Sequence, residues 1–261
     1  MPYKTDYHIH TTFSDGKAAP EKYIPAAMAS GISEIGFSEH LSLFREDQTG
    51  CMDPGNSTRY IEYLHDLRNR TKGIEVRIGL EIDFRSGKEK EIGNFLDNLE
   101  IDYRIGSVHY LGETSVDSGP EFYTGKDIDR LYESYFENVI RAVSSGLYDI
   151  IGHCDLIRIY GFRPSFDPEP LYRGLAASMK KHNVVLELNT NGRNKPLADF
   201  YPDRRFLHIF REENVAICVN SDAHFPARVG QYFDEAYDMV RSAGFTEMAV
   251  FSSRKRSMVP L

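Results

Sequence analysis

Short apolar runs alternate along this chain with stretches in which apolar residues return every three or four positions. The first pattern predicts strands and the second helices. Strands are expected over residues 3–10, 32–38, 76–80, 103–108, 149–152, 184–188 and 215–220, with 247–251 as an added edge strand. Helices are expected over 20–30, 58–72, 89–99, 127–145, 171–181, 204–213 and 233–243. Tyr60, Leu64 and Leu67 mark the buried face of the second helix, and Leu131, Tyr135, Val139 and Val143 that of the fourth. Gly31 and Gly146 are placed as helix stops. Residues 41–58 and 111–124 show neither period and read as long irregular segments of the kind that often carry function.

Strand and helix therefore alternate seven times. Runs such as Val184-Val185-Leu186 and Ala216-Ile217-Cys218-Val219 look buried on both faces. That combination predicts an α/β fold with a parallel sheet or barrel, in one domain spanning residues 1–261. In a (β/α) barrel the C-terminal strand ends meet at one rim, where active sites form.

Polar residues collect at those ends. His8 and His10, two apart in a strand, point to one face. Asp15, His40, Glu81, His109, His153, Asp222 and His224 lie at or just beyond other strand ends, and the sixth strand ends in Asn189. A lone histidine is ordinarily a hydrogen-bonded structural residue, but repetition at one rim predicts a metal site. Imidazole and carboxylate donors without thiolate suit Zn²⁺, Mn²⁺ or Fe²⁺. Nine ligands exceed what one catalytic ion takes, so two or three ions and a bridging carboxylate are implied.

Composition narrows the partners. The net charge of −8 disfavours a general nucleic-acid binder. Three cysteines without paired spacing suggest neither a disulfide framework nor a thiolate zinc site. The N-terminus shows no signal pattern and no apolar run approaches the length of a membrane span, so a soluble cytoplasmic protein is expected.

The fragments Tyr7-His8-Ile9-His10, Ser14-Asp15-Gly16, Gly36-Phe37-Ser38-Glu39-His40, Gly79-Leu80-Glu81-Ile82-Asp83, Gly106-Ser107-Val108-His109-Tyr110, Gly152-His153-Cys154-Asp155 and Asn220-Ser221-Asp222-Ala223-His224 together resemble the polymerase-and-histidinol-phosphatase (PHP) family along nearly the whole chain. The resemblance implies a distorted seven-stranded (β/α) barrel with three divalent ions at the rim. It implies that His8, His10, Glu81 and Asp222 hold one ion, that Glu81 bridges to a second held by His109 and His153, and that Asp15, His40 and His224 hold the third. Within the family, the chain is most similar to the phosphatases that act on L-histidinol phosphate in histidine biosynthesis, although Leu111-Gly112-Glu113-Thr114-Ser115 departs from their pattern.

The implied chemistry is hydrolysis of a small phosphate monoester, in which bound ions activate water and neutralise phosphoryl charge. Asp15, His40, Glu81 and Asp222 are the expected catalytic groups, with Asp15 or His40 protonating the leaving group. Arg158, Arg193 and Arg228 follow rim-facing strand ends and are candidate phosphate contacts, and Asn189 and Ser221 are candidate substrate or supporting groups. Asp155 is a candidate support for a ligand histidine. His65, His182 and His208 fall in helices and are read as structural, and Cys154 as packing. Competing readings are an amidohydrolase, a phosphodiesterase or protein-tyrosine phosphatase of the same family, and a non-catalytic metal-binding barrel. No strand ends in the lysine that bridges metals in many amidohydrolases, and no ligand is missing as a non-catalytic barrel would allow.

Overall fold

The computed structural model describes residues 3–44 and 50–261. Chain order runs β1 (Thr5–Asp6), α1 (Tyr23–Ala29), β2 (Glu34–Leu41), α2 (Ser57–Arg70), β3 (Glu75–Asp83), α3 (Glu89–Leu96) and β4 (Tyr103–Ser107). It continues through β5 (Tyr110–Leu111), β6 (Thr114–Ser115), α4 (Ile128–Ser144), β7 (Ile150–Ile151), α5 (Glu169–His182) and β8 (Val185–Asn189). The last elements are α6 (Leu207–Glu212), β9 (Ile217–Asn220), α7 (Phe233–Ser242), β10 (Glu247–Ser252) and β11 (Lys255–Pro260).

Helix ends follow local chemistry. Asp127 caps α4 by accepting from Arg130 N at 3.1 Å. Gly31, at φ +69°, ends α1, and Ile32 N then bonds Ala27 O at 3.0 Å, a closure that favours glycine. The apolar stripe of α4 (Tyr132, Tyr135, Phe136, Val139, Val143) is buried.

Seven strands pair in parallel in the order β1-β2-β3-β4-β7-β8-β9. Beyond the last strand ends, His10 N bonds Ala223 O at 3.0 Å and Ala223 N bonds His8 O at 3.1 Å, so the sheet nearly closes into a barrel. The distortion has a visible source: β1 and β7 are two residues each. The expected strand over 3–10 is therefore regular only at Thr5–Asp6, although Ile9 bridges Ala223. Among the described residues, no helix is long and apolar enough to cross a membrane.

Two expectations are corrected. Residues 247–251 form no edge strand of the barrel sheet; β10 pairs antiparallel with β11 through a turn whose central residues, Ser253 and Arg254, both have positive φ. This hairpin packs Ala249, Val250 and Phe251 against Tyr7, Tyr103, Ile105, Ile150, Val185 and Cys218 at the N-terminal end of the barrel. The stretch 111–124 is not wholly irregular, because β5 and β6 form a small hairpin turning at Gly112, φ +68°, before a 3₁₀ turn over Pro120–Tyr123. Of the other irregular stretch, 41–58, residues 45–49 lie outside the described residues, and the rest ends in a 3₁₀ turn over Pro54–Asn56 leading into α2.

Candidate metal centre

Parallel register brings the rim together. β2 and β3 align so that His40 lies beside Glu81, and Glu81 becomes the hub. Its Oε2 lies 3.3 Å from His8 Nε2, 3.6 Å from His10 Nε2 and 2.5 Å from His40 Nδ1. Its Oε1 lies 2.9 Å from His153 Nε2 and 3.6 Å from His109 Nε2. Asp222 Oδ1 lies 3.4 Å from His10 Nε2 and 3.5 Å from His224 Nδ1. Asp15 Oδ1 lies 3.2 Å from His224 Nε2 and 3.8 Å from His40 Nε2.

All nine predicted ligands thus converge. Their donor atoms form four overlapping groups, each within 4.8 Å: His10, Asp15, His40 and His224; His8, His10 and Asp222; His8, Glu81 and His153; His40, Glu81 and His109. No cysteine joins them among the described residues, and Cys154 is buried in the core.

Sharp chain turns aim these groups inward. His153, at φ 24°, and Asp222, at φ 49°, follow β7 and β9 in a left-handed conformation that non-glycine residues rarely adopt and that clusters at functional sites. Asp15 depends on Gly16, where a Cβ would lie 2.1 Å from the His10 carbonyl oxygen. The fully buried Glu39 fixes the same loop by accepting from Thr11 N and from the Thr11 and Ser14 hydroxyls.

The electrostatics fit a cation. Among the described residues, His8 Nε2, both His10 nitrogens, Asp15 Oδ1, Glu81 Oε2 and Asp222 Oδ1 are buried without hydrogen-bond partners, and buried polar atoms left so are costly unless they bind something. Burial opposes ionisation of Glu81, yet the charges of His40, His8 and His109 hold its pKa well below the carboxylate range. Asp222 is held low in the same way, against burial, by the nearby His8, His10 and His224. Burial disfavours charged His109, but Asp83 and Glu81 raise it to about 10. Burial, with His40 and His224 nearby, pushes His10 well down.

A supporting layer escaped the sequence reading. Glu187, midway along β8 and fully buried, lies 2.7 Å from His8 Nδ1 and accepts from His153 N at 2.8 Å and from the side chains of Asn189 and Asn220. Asp83 lies 2.6 Å from His109 Nδ1. Carboxylates in these places fix ring orientation and leave the opposite nitrogen free to ligate. An acidic residue inside the apolar run Val184–Leu188 was the available signal.

The other predicted residues divide. Asn189, fully buried, turns its Nδ2 to Asp222 Oδ2 at 3.2 Å, a contact that suits support of a candidate ligand. Ser221 is fully buried, with its N–H on Asp6 Oδ1. Asp155 supports no histidine directly; its Oδ2 takes Arg158 Nη1, the Tyr172 hydroxyl and Asp203 N. Arg158 is 1% exposed, bonded also to Phe200 O, with Nε unpartnered. Arg193 pairs with Glu235 and lies over the Phe200 ring. Arg228, partly exposed, packs on Phe225 and has no ion-pair partner among the described residues. His65, His182 and His208 lie on α2, α5 and α6, outside the cluster.

Comparison with known proteins agrees with this geometry. The PHP domain family model matches residues 6–191. A probable histidinol-phosphatase of Deinococcus radiodurans is 35% identical over 246 residues, covering 92% of this chain and 93% of the relative. The histidinol-phosphatase of Lactococcus lactis is 28% identical over 261 residues, covering 97% and 96%. A crystal structure of the Lactococcus lactis histidinol phosphate phosphatase, complexed with zinc, L-histidinol and phosphate, superimposes with a TM-score of 0.84 at 27% identity over 98% of this chain and 100% of that one.

Proposed function

The chain belongs to the PHP domain family, and we propose that it is a metal-dependent phosphoric monoester hydrolase converting L-histidinol phosphate to L-histidinol and phosphate in histidine biosynthesis. The observation that carries this reading is the convergence of six histidines, His8, His10, His40, His109, His153 and His224, on Glu81, Asp222 and Asp15. The relatives' shared activity supplies the substrate.

In this reading the unit acts as one domain over residues 1–261 in the cytoplasm, without nucleic acid. Three ions would be held, one by His8, His10, Glu81 and Asp222, one by Glu81, His109 and His153, and one by Asp15, His40 and His224; zinc, manganese and iron(II) all suit this donor set. When bound, such ions supply Lewis acidity and a water of lowered pKa. The chain supplies the rest. Glu187 and Asp83 hold His8 and His109 in their ligating orientation. Asp15 and His40, among the more exposed of the cluster with side chains 35% and 20% accessible, would take the proton that the attacking water loses and pass it to the leaving alkoxide. Of the three candidate arginines Arg228, with no ion-pair partner among the described residues, is the most free to meet phosphate, and Arg193 becomes available once Glu235 is displaced.

The test is a panel of esters given to the purified, zinc-loaded protein: L-histidinol phosphate, other alkyl monoesters, phosphotyrosine peptide and a phosphodiester. The reading expects kcat/KM for L-histidinol phosphate of about 10⁴ M⁻¹s⁻¹ or above and to lead the panel. Faster cleavage of the diester or of phosphotyrosine assigns another substrate within the family.

A further inference from the structure

Tyr201 is 1% exposed, yet its hydroxyl has no hydrogen-bond partner among the described residues. Most buried tyrosine hydroxyls here are satisfied: Tyr60 donates to Gly79 O, Tyr103 to Tyr7 O, and Tyr123 to Val116 O and Ile157 O. Tyr135 and Tyr148 share the lack, but their rings pack on Phe136 and Phe84 in the core behind the helices. Only Tyr201, among these three, abuts a metal-ligand residue: its ring stands edge-on to His153, with centroids 6.3 Å apart and planes at 72°.

The ring is also held still. Tyr201 N donates to Asn189 O at 3.0 Å and Asn189 N to Tyr201 O at 2.7 Å, while the Asn189 side chain reaches Asp222. On one side the backbone of Gly192 presses close enough that a Cβ there would lie 2.9 Å from the ring. The preceding residue, Phe200, offers its carbonyl to Arg158 Nη1 at 3.2 Å, and Arg158 Nε is a second buried donor without a partner. A hydroxyl held still next to His153 can donate to an oxygen of a phosphoryl group.

We propose that the Tyr201 hydroxyl donates a hydrogen bond to a non-bridging oxygen of the phosphoryl group and so sets the affinity of the site for phosphate. The inference rests on the phosphoesterase reading and adds a residue to it. A hydrogen bond to a charged group is worth about tenfold or more in affinity. Tyr201→Phe removes the hydroxyl alone and keeps the packed ring.

The experiment is calorimetric titration of inorganic phosphate into the zinc-loaded wild-type and Y201F proteins, with metal content and melting temperature measured on the same samples. The proposal expects the phosphate Kd to rise about tenfold or more in Y201F with metal content unchanged. Wild-type phosphate affinity in a folded, fully loaded Y201F, whatever its melting temperature, assigns the hydroxyl to the core and overturns the proposal. Because the probe is phosphate itself, preference for an ester other than L-histidinol phosphate would overturn the substrate reading and leave this result standing.

Discussion

The two ends of the barrel are made from the same strands and differ in what their inward side chains find. Along β4 and just past it, alternate residues run Tyr103, Ile105, Ser107, His109, from the closed end to the rim. At the closed end Tyr103 and Ile105 join the β10–β11 hairpin in an apolar plug. Most polar groups around it are matched, Thr5 Oγ1 and Arg104 Nε excepted: the Tyr7 hydroxyl donates to Glu34 at 2.8 Å, Arg77 Nε to the same carboxylate at 2.6 Å, and Arg254 to Asp149 through two nitrogens. At the rim, Ser107 donates to Glu81, while His8 Nε2, both His10 nitrogens, Asp15 Oδ1, Glu81 Oε2 and Asp222 Oδ1 are buried without partners among the described residues. The closed end is complete as a folded protein, whereas the rim is complete only with a cation. Stability and chemistry are therefore separable along a single strand.

Substitutions at the two ends should separate them too. The largest effect is expected for Glu81→Gln, which removes the one charge facing five histidines. Phosphate release should fall on the order of 10³-fold or more, with bound metal lost by elemental analysis and the melting temperature of the metal-free protein little changed. Phe251→Ala is the mirror experiment. It opens the plug, should cost about 3–5 kcal/mol in denaturant unfolding, and should leave kcat per folded molecule intact; a fall in kcat with stability preserved would break the comparison.

Between these lies Glu187→Gln, which leaves the ligands in place but weakens the group that orients His8 and receives His153 N. Metal affinity should drop by about 10- to 100-fold, read by competition with a chromogenic chelator. Unchanged affinity would make Glu187 part of the structural half. The smallest effect concerns pH. Asp83 and Glu81, against burial, raise His109 in the metal-free protein to about 10, so a proton holds the lone pair an ion needs throughout neutral pH. Raising pH removes that competitor, and zinc affinity should climb by up to about tenfold per unit for each proton displaced, with protons released on zinc addition at pH 7. Affinity flat between pH 6 and 8 would show these histidines to be neutral already.

How much of this was visible in the sequence follows from what kind of information each feature needs. The candidate ligands His8, His10, Glu81, His153 and Asp222 were legible as a cluster because strand ends in a parallel barrel share a rim, so their position along the chain already fixes their neighbourhood. Glu187 was not, because it sits two residues before a strand end and only the three-dimensional approach of His8 and His153 reveals its use. Asn189 and Arg158 share that difficulty. Sequence places them near the rim, and only contacts show one turned to Asp222 and the other held among Asp155, Asp199 and Asp203. The closing hairpin was half legible: residues 247–251 announce a strand, but its partner, Lys255–Pro260, is charged and exposed at its start, and the turn between them uses Ser253 and Arg254 where glycine or asparagine would have signalled it.

The most direct test of the central claim is to strip the protein with a chelator, return zinc in measured equivalents, and follow phosphate release from L-histidinol phosphate. The account predicts no turnover in the stripped protein and activity that rises to a plateau near three ions per chain. Turnover that survives the chelator, or a plateau reached at one ion, would contradict it.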